Sequence, residues 1–209
     1  MDLFLVRHAS STREAIGTWG RRFDAPLADG YQEQLREAKN ALERLPRARI
    51  YSSPLSRCMQ SAEYIWPDHK VHVVEAFQAY HSGFFEEKSE EFVKAHYPQY
   101  AAMTFRERFL EPQFGEESIR SQAIRVANGL YSILEHLSGT PAIVAHYSSI
   151  NIIAHFASDN WDIDTHADGK YDLLDGAHIS LRMNPYVLHD NLERWLMSVS
   201  HSNDRLDVY

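Results

Sequence analysis

Two arginines and two histidines in this 209-residue chain stand where they could act together on one anion. Arg7 and His8 follow directly on the apolar run Leu3-Phe4-Leu5-Val6, which reads as a strand buried on both faces. Arg57 belongs to "YSSPLSRC", where a short strand is stopped by Pro54. His146 ends "PAIVAH", a second buried-strand pattern closed by a titratable residue. In an open α/β sheet, ligands gather beyond the carboxyl ends of the strands. Guanidinium forks match phosphate oxygens two at a time. A neutral imidazole in such a pocket can attack phosphorus, and the surrounding positive charge would stabilise the equatorial oxygens of the transferring group. The chemistry these four residues predict is capture and transfer of a phosphoryl group.

The elements that must position them alternate between strand-like and helix-like segments, the pattern of an α/β layered fold. After the first strand comes a loop carrying Gly17, Gly20, Pro26 and Gly30. A helix is predicted over 31–45, with Leu35, Ala38, Leu42 and Leu45 on one face. "ARIYSSP" reads as a strand, followed by a helix over 55–65 in which Ser53 would act as cap. "KVHVVEAF" reads as a third strand. Residues 76–115, rich in aromatics and charges, have no strand period and read as a largely helical lid insertion in a single domain spanning 1–209; within it "EEKSEE" is expected to be a solvated helix face. A helix over 116–137 would turn Ile119, Ala123, Val126, Leu130, Ile133 and Leu137 inward. "SSINIIAHFA" would follow the "PAIVAH" strand as a helix with Ser148 as its cap.

Composition narrows the class. A chain that is 44% hydrophobic and 24% charged is of the globular type. A formal net charge of -8 argues against a nucleic-acid partner, which needs a basic face, but not against a local cationic pocket for a small phosphorylated substrate. Nowhere do enough apolar residues run together to span a membrane, so no membrane partner is expected. "MDLFLVRHAS" has neither a basic leader nor a long apolar core, and the expected compartment is the cytoplasm. Cys58, the single cysteine, leaves no disulfide framework or Cys-based zinc site and is expected to be a buried small apolar residue. Among twelve histidines, His69, His72, His96, His136 and His155 are scattered without ligand spacing, so no metal site is expected. Oligomeric state is left open.

The motifs together resemble the histidine phosphatase superfamily (phosphoglycerate-mutase-like proteins). "LVRHAS" is similar to the family's Arg-His-Gly motif, and "FDAPLADGYQEQ" to its Asp-x-Pro-Leu-Thr-x-x-Gly-x-x-Gln segment. "YSSPLSRCMQSAEYI" resembles the Ser-Pro-Leu-x-Arg helix, "FGEESIRSQAIRVANGL" the Gly-Glu-Ser…Arg-Val helix, and "AIVAHYSSINIIAH" the second-histidine strand and helix. The resemblance implies a three-layer α/β/α sandwich with a mostly parallel central sheet, no metal and no organic cofactor. His8 would be the phosphorylated nucleophile, with Arg7, Arg57 and His146 completing the phosphate pocket.

Three departures matter. Ala9 replaces the glycine after the first histidine, and Tyr147 the one after the second. Glu14 stands where many members carry an asparagine, so that phosphate contact would be missing. Aligned without a gap, the family's general acid falls on Ala79, which can transfer no proton. Aligned by the end of the third strand it falls on Glu75, where a buried strand end would raise the carboxyl pKa towards a useful range. His81 and Glu86 are the alternatives. The expected activity is phosphomonoester hydrolysis of a small metabolite through a phosphohistidine, with His8, Glu75 and His146 catalytic. A phosphoglycerate-type mutase or a catalytically weak phosphate-binding protein are the rival readings.

Overall fold

The computed structural model describes residues 1–45, 48–136, 139–158 and 173–201. Strands β1 Asp2–Arg7, β2 Ala48–Ser52, β3 Val71–Val73, β4 Thr140–Ala145 and β5 His178–Arg182 form one sheet in the order β3-β2-β4-β1-β5. β1 and β4, β4 and β2, and β2 and β3 pair in parallel, and β5 runs antiparallel along β1. The helices are α1 Arg13–Ile16, α2 Tyr31–Leu42, α3 Ser56–Ile65, α4 Glu90–His96, α5 Pro98–Ala102, α6 Phe105–Leu110, α7 Ile119–Ile133, α8 Tyr147–Ala157 and α9 Pro185–His201.

The two-residue period of β1 sets the layers. Leu3 and Leu5 pack with Leu130 of α7, Ile153 of α8 and Leu192 of α9. Phe4 and Val6, on the other face, pack with Leu35 of α2 and Ala62 of α3. β4 divides the same way, Ile143 and Ala145 to one side and Ala142 and Val144 to the other. The expected α/β fold, with helices on both faces of a mostly parallel sheet, is what these residues build. Register then delivers the site. Arg7 lies beside Ala145 and Ser52 beside Val144, so His8, His146 and Ser53 all leave the sheet at one edge.

Several local expectations are corrected. The third strand pairs only over Val71–Val73, and Glu75–Phe77 forms a 3-10 turn. Phe77 of that turn is fully buried and packs with Leu130 rather than continuing the sheet. Helix α7 begins at Ile119, because the hydroxyl of Ser118 accepts from the Ser121 N–H at 3.1 Å and caps it there. Leu137, the last inward position expected of that helix, lies outside the described residues. Ser148 is not a cap. Helix α8 starts from His146 without a side-chain cap, and the Ser148 hydroxyl accepts from Gln122 Nε2 at 2.9 Å instead.

The segment after β3 carries a small core of its own, Phe85, Val93 and Tyr100 with Trp19 and Phe114 against them. Buried Glu116 ties this core together, accepting from the Tyr100 hydroxyl and from the backbone N–H groups of Gln113 at 2.9 Å and Phe114 at 2.5 Å. Thr104 and Glu107 form a reciprocal cap at the start of α6. No helix among the described residues is long and apolar enough to cross a membrane.

Candidate active site

Beyond the carboxyl ends of β1, β2 and β4 lies a pocket of about 220 Å³, lined among others by Arg7, His8, Arg57 and His146. The four residues singled out by sequence are thus brought together. Rings of His8 and His146 meet edge to face, centroids 4.9 Å apart. The His8 Nδ1 lies 2.7 Å from the Ala9 carbonyl, which can only accept, so Nδ1 carries the proton. Nε2 is therefore unprotonated, and its lone pair accepts from the Arg57 Nε–H at 3.3 Å. Burial, then the Arg57 guanidinium, pushes the His8 pKa from 6.5 down to about 3, so the ring is neutral at physiological pH. A neutral imidazole with an unprotonated Nε2 at a pocket wall can act as a nucleophile.

Arg57 is nearly buried and caged by the loop after β1. Its Nη1 donates to the Phe23 carbonyl at 3.0 Å and its Nη2 to the Arg21 carbonyl at 2.7 Å. Nη2 also reaches His146 Nδ1 at 3.4 Å, which must accept, leaving the proton on Nε2 to donate to Ser53 Oγ at 2.9 Å. The Ser53 hydroxyl thus orients His146 and gives α3 only a long 3.4 Å bond from the Leu55 N–H, so its expected capping role is secondary. His146 too is held well below its ordinary pKa, first by burial and then by Arg57. Cys58 is buried as expected, its Sγ 3.5 Å from His146 Nε2, and burial raises its thiol to about 12, too high for a nucleophile. Ser61 braces the backbone from below, its hydroxyl donating to the Arg57 carbonyl at 2.7 Å and accepting from the Ala9 N–H at 3.3 Å. Ala9 is fully buried, so its methyl fits where the family has glycine.

Arg7 is held from the far end of the chain. Its Nη1 donates to the Leu173 carbonyl at 2.5 Å, its Nη2 pairs with Asp175 at 2.5 Å, and its guanidinium lies 5.4 Å from the centre of the Tyr147 ring. Tyr147 thus fills the space of the missing glycine and supports Arg7. Asp175 was not found from sequence, because nothing local in "LLDGAH" announces a partner for Arg7.

The acid expected at Glu75 is not in the pocket. Edge strand β3 ends two residues earlier, Glu75 is exposed, and its carboxylate accepts from Gln78 Nε2 at 2.7 Å. The premise of a buried strand end fails. The alternatives are structural. His81 Nδ1 accepts from the Gly83 N–H at 3.1 Å, and Glu86 accepts from the backbone N–H groups of Arg22 at 2.5 Å and Ser82 at 2.7 Å. Ala79, the gap-free position, does line the pocket. The carboxyls that line it among the described residues are Asp175 and Glu14. Glu14 accepts from Arg13 Nη2 at 2.9 Å and from the Ser11 hydroxyl at 3.1 Å. Burial raises its pKa, but its own backbone N–H and the Arg13 guanidinium outweigh that and leave it lowered.

A domain that presents two neutral histidines and two caged arginines at the carboxyl edge of a mostly parallel sheet is built for phosphoryl transfer. The histidine phosphatase superfamily (branch 1) profile matches residues 3–180, and the chain belongs to that family. It is of the class expected from the motifs, a histidine phosphatase. A search of curated proteins finds no match. Among solved structures, the α-ribazole phosphatase from Shigella flexneri superposes with a TM-score of 0.71 at 18% identity, over 88% of this chain and 91% of that one. Mycobacterial glucosyl-3-phosphoglycerate phosphatase gives 0.68 at 17% identity, over 86% and 88%. A Thermus thermophilus protein gives 0.58 at 21% identity, over 87% and 93%. At these identities the likeness is one of fold.

Proposed function

We propose that the protein hydrolyses the phosphomonoester of a small metabolite through a phosphohistidine on His8. The observation that carries this is the His8 tautomer. Its proton is fixed on Nδ1 by the Ala9 carbonyl, its ring is neutral, and its Nε2 points to the guanidinium that would hold the phosphoryl oxygens. In the first step the Nε2 lone pair attacks phosphorus. The ester P–O bond breaks, its electron pair leaves with the alcohol oxygen, and that oxygen takes up a proton. In the second, water attacks phosphorus and gives a proton to the carboxylate left by the first step, the N–P bond breaks with its electrons returning to Nε2, and inorganic phosphate departs. Arg57, Arg7 and His146 stabilise the equatorial oxygens in both steps. Glu14 is the carboxyl we assign to the leaving oxygen. A bound phosphoryl dianion beside it disfavours its own charge and raises its proton affinity. The pocket volume fits a small ester, and the net charge of -8 fits neither a nucleic-acid nor an anionic membrane partner.

The test is turnover of 4-nitrophenyl phosphate, with rapid quench of a 32P-labelled ester. Wild-type protein is expected to accumulate acid-labile, base-stable label, and His8→Ala to lose both label and turnover while keeping its circular dichroism. Hydrolysis by His8→Ala at the wild-type rate refutes the mechanism.

A further inference from the structure

Two more arginines line the pocket, Arg13 and Arg21, and among the described residues Arg21 makes no ion pair. The four pocket guanidiniums divide by pairing. Arg7 pairs with Asp175 at 2.5 Å and Arg13 with Glu14 at 2.9 Å. Arg57 lies against the His8 nucleophile, where the transferred phosphoryl group supplies its anion. Arg21 remains. Its side chain is exposed to the pocket mouth, and among the described residues nothing forms a hydrogen bond, ion pair or ring contact with its guanidinium. Water reaches it, yet protein surrounds it on most sides. Desolvation by that surrounding protein, then repulsion from Arg13 and Arg108, opposed more weakly by Glu14 and Glu90, lowers its pKa to about 10, so it stays charged at neutral pH without a hydrogen-bonded partner.

The backbone of Arg21 is held rigidly on three sides. Gly20 packs so tightly against the Glu86 backbone that a Cβ there would lie 1.9 Å from the Glu86 carbonyl oxygen. The Arg21 N–H donates to Ser82 Oγ at 3.2 Å, and the Arg22 N–H to Glu86 Oε1 at 2.5 Å. The Arg21 carbonyl accepts from Arg57 Nη2 at 2.7 Å. An unpartnered cation on a fixed backbone is preorganised for an anionic ligand. The Arg57 bond also sets the scale. It places the Arg21 backbone against the phosphoryl-binding guanidinium, and the Arg21 side chain, roughly 6–7 Å from Cα to guanidinium for bonds of ordinary length, lines the same pocket.

We infer that Arg21 is a specificity residue that binds a second anionic group of the substrate, a carboxylate or a second phosphoryl a few carbon atoms from the ester phosphorus. This rests on the hydrolase reading above and narrows its substrate class. Charge-assisted hydrogen bonds of the kind Arg21 offers are worth about a tenfold to hundredfold preference.

Matched esters test it. One pair is 3-phosphoglycerate against glycerol 3-phosphate, which exchanges a carboxylate for a hydroxymethyl group. The other is propane-1,3-diol bisphosphate against 3-hydroxypropyl phosphate. Wild-type kcat/KM is expected to favour the doubly anionic member of one pair by about tenfold or more, and the pair that shows it identifies the anion. In Arg21→Gln that ratio is expected to fall towards one, while Arg21→Lys keeps part of it. Because both members are measured on the same protein, a partly misfolded variant does not alter the ratio. Wild-type ratios near one for both pairs, or a ratio untouched by Arg21→Gln, overturn the inference and leave the hydrolase reading standing. Failure to hydrolyse any of these esters or 4-nitrophenyl phosphate instead removes the hydrolase reading beneath it.

Discussion

A histidine kept neutral by burial must weaken the fold in acid, and His8 allows the size of that effect to be worked out. Unfolded, its pKa is 6.5; folded, burial and Arg57 hold it near 3. Below pH 6.5 the unfolded chain binds a proton that the native ring refuses, so the stability His8 allows above pH 6.5 is lost progressively as pH falls towards 3. The loss is about 1.4 kcal/mol per pH unit in that window, so about 2 kcal/mol between pH 7 and pH 5. Glutamine at this position has no proton to gain. Urea unfolding of wild type and His8→Gln at pH 7 and pH 5, in buffers free of phosphate, isolates the term, since all other titrating groups are shared. Wild type is expected to lose about 2 kcal/mol more than the variant between the two pH values. Parallel losses, within about 0.5 kcal/mol, would mean that His8 protonates in the native state. The Nε2 lone pair that the proposed mechanism uses would then be gone at mildly acidic pH.

The proton donor is tested by leaving-group dependence. Glu14→Gln is expected to slow an alkyl phosphate about a hundredfold or more and 4-nitrophenyl phosphate far less, because the latter oxygen departs without a proton. Glu75→Gln, on an exposed side chain outside the pocket, is expected to leave both rates within about twofold, and a large alkyl-selective loss there would restore the strand-end assignment. Transfer through a histidine also predicts that chelators leave activity intact while vanadate, a five-coordinate mimic, inhibits. Loss to a chelator restored by zinc or magnesium would point to metal-assisted chemistry instead.

Strands β1, β2 and β4 and the two histidines and two arginines of the site were legible because each is written locally, whereas β5, whose half-buried residues carry no such run, was not. β1 and β4 are unbroken apolar runs, and their register in parallel pairing carries whatever follows them to one edge. The general acid was not legible. "VVEAF" supports an extended strand as well as a short strand followed by a turn, and the choice is made by Phe77 finding room beside Leu130. Ser148 and Ser53 look like caps because capping is the local use of a serine; their hydroxyls go to Gln122 and His146, 26 positions back and 93 positions on. Arg13 and Glu14 come from the short helix α1, Arg21 from the loop after it and Asp175 from the segment before β5, and only the closed fold shows that they share a wall.

Strand β1, which leads into His8, is completed from far along the chain. Arg7 donates to Leu173, 166 residues later, the His8 carbonyl accepts from the Gly176 N–H at 3.0 Å, and β5 covers one side of β1 from Asp2 to Val6. While the chain is being synthesised, β1 can pair with β4 long before β5 has emerged. In that interval it is an exposed, apolar sheet edge with an unanchored arginine at its end, the arrangement most prone to recruit a strand from another chain. A chain stopped before His178 would keep His8, Arg57 and His146 and still carry that open edge. Its expected fate is aggregation before any loss of catalysis could be observed.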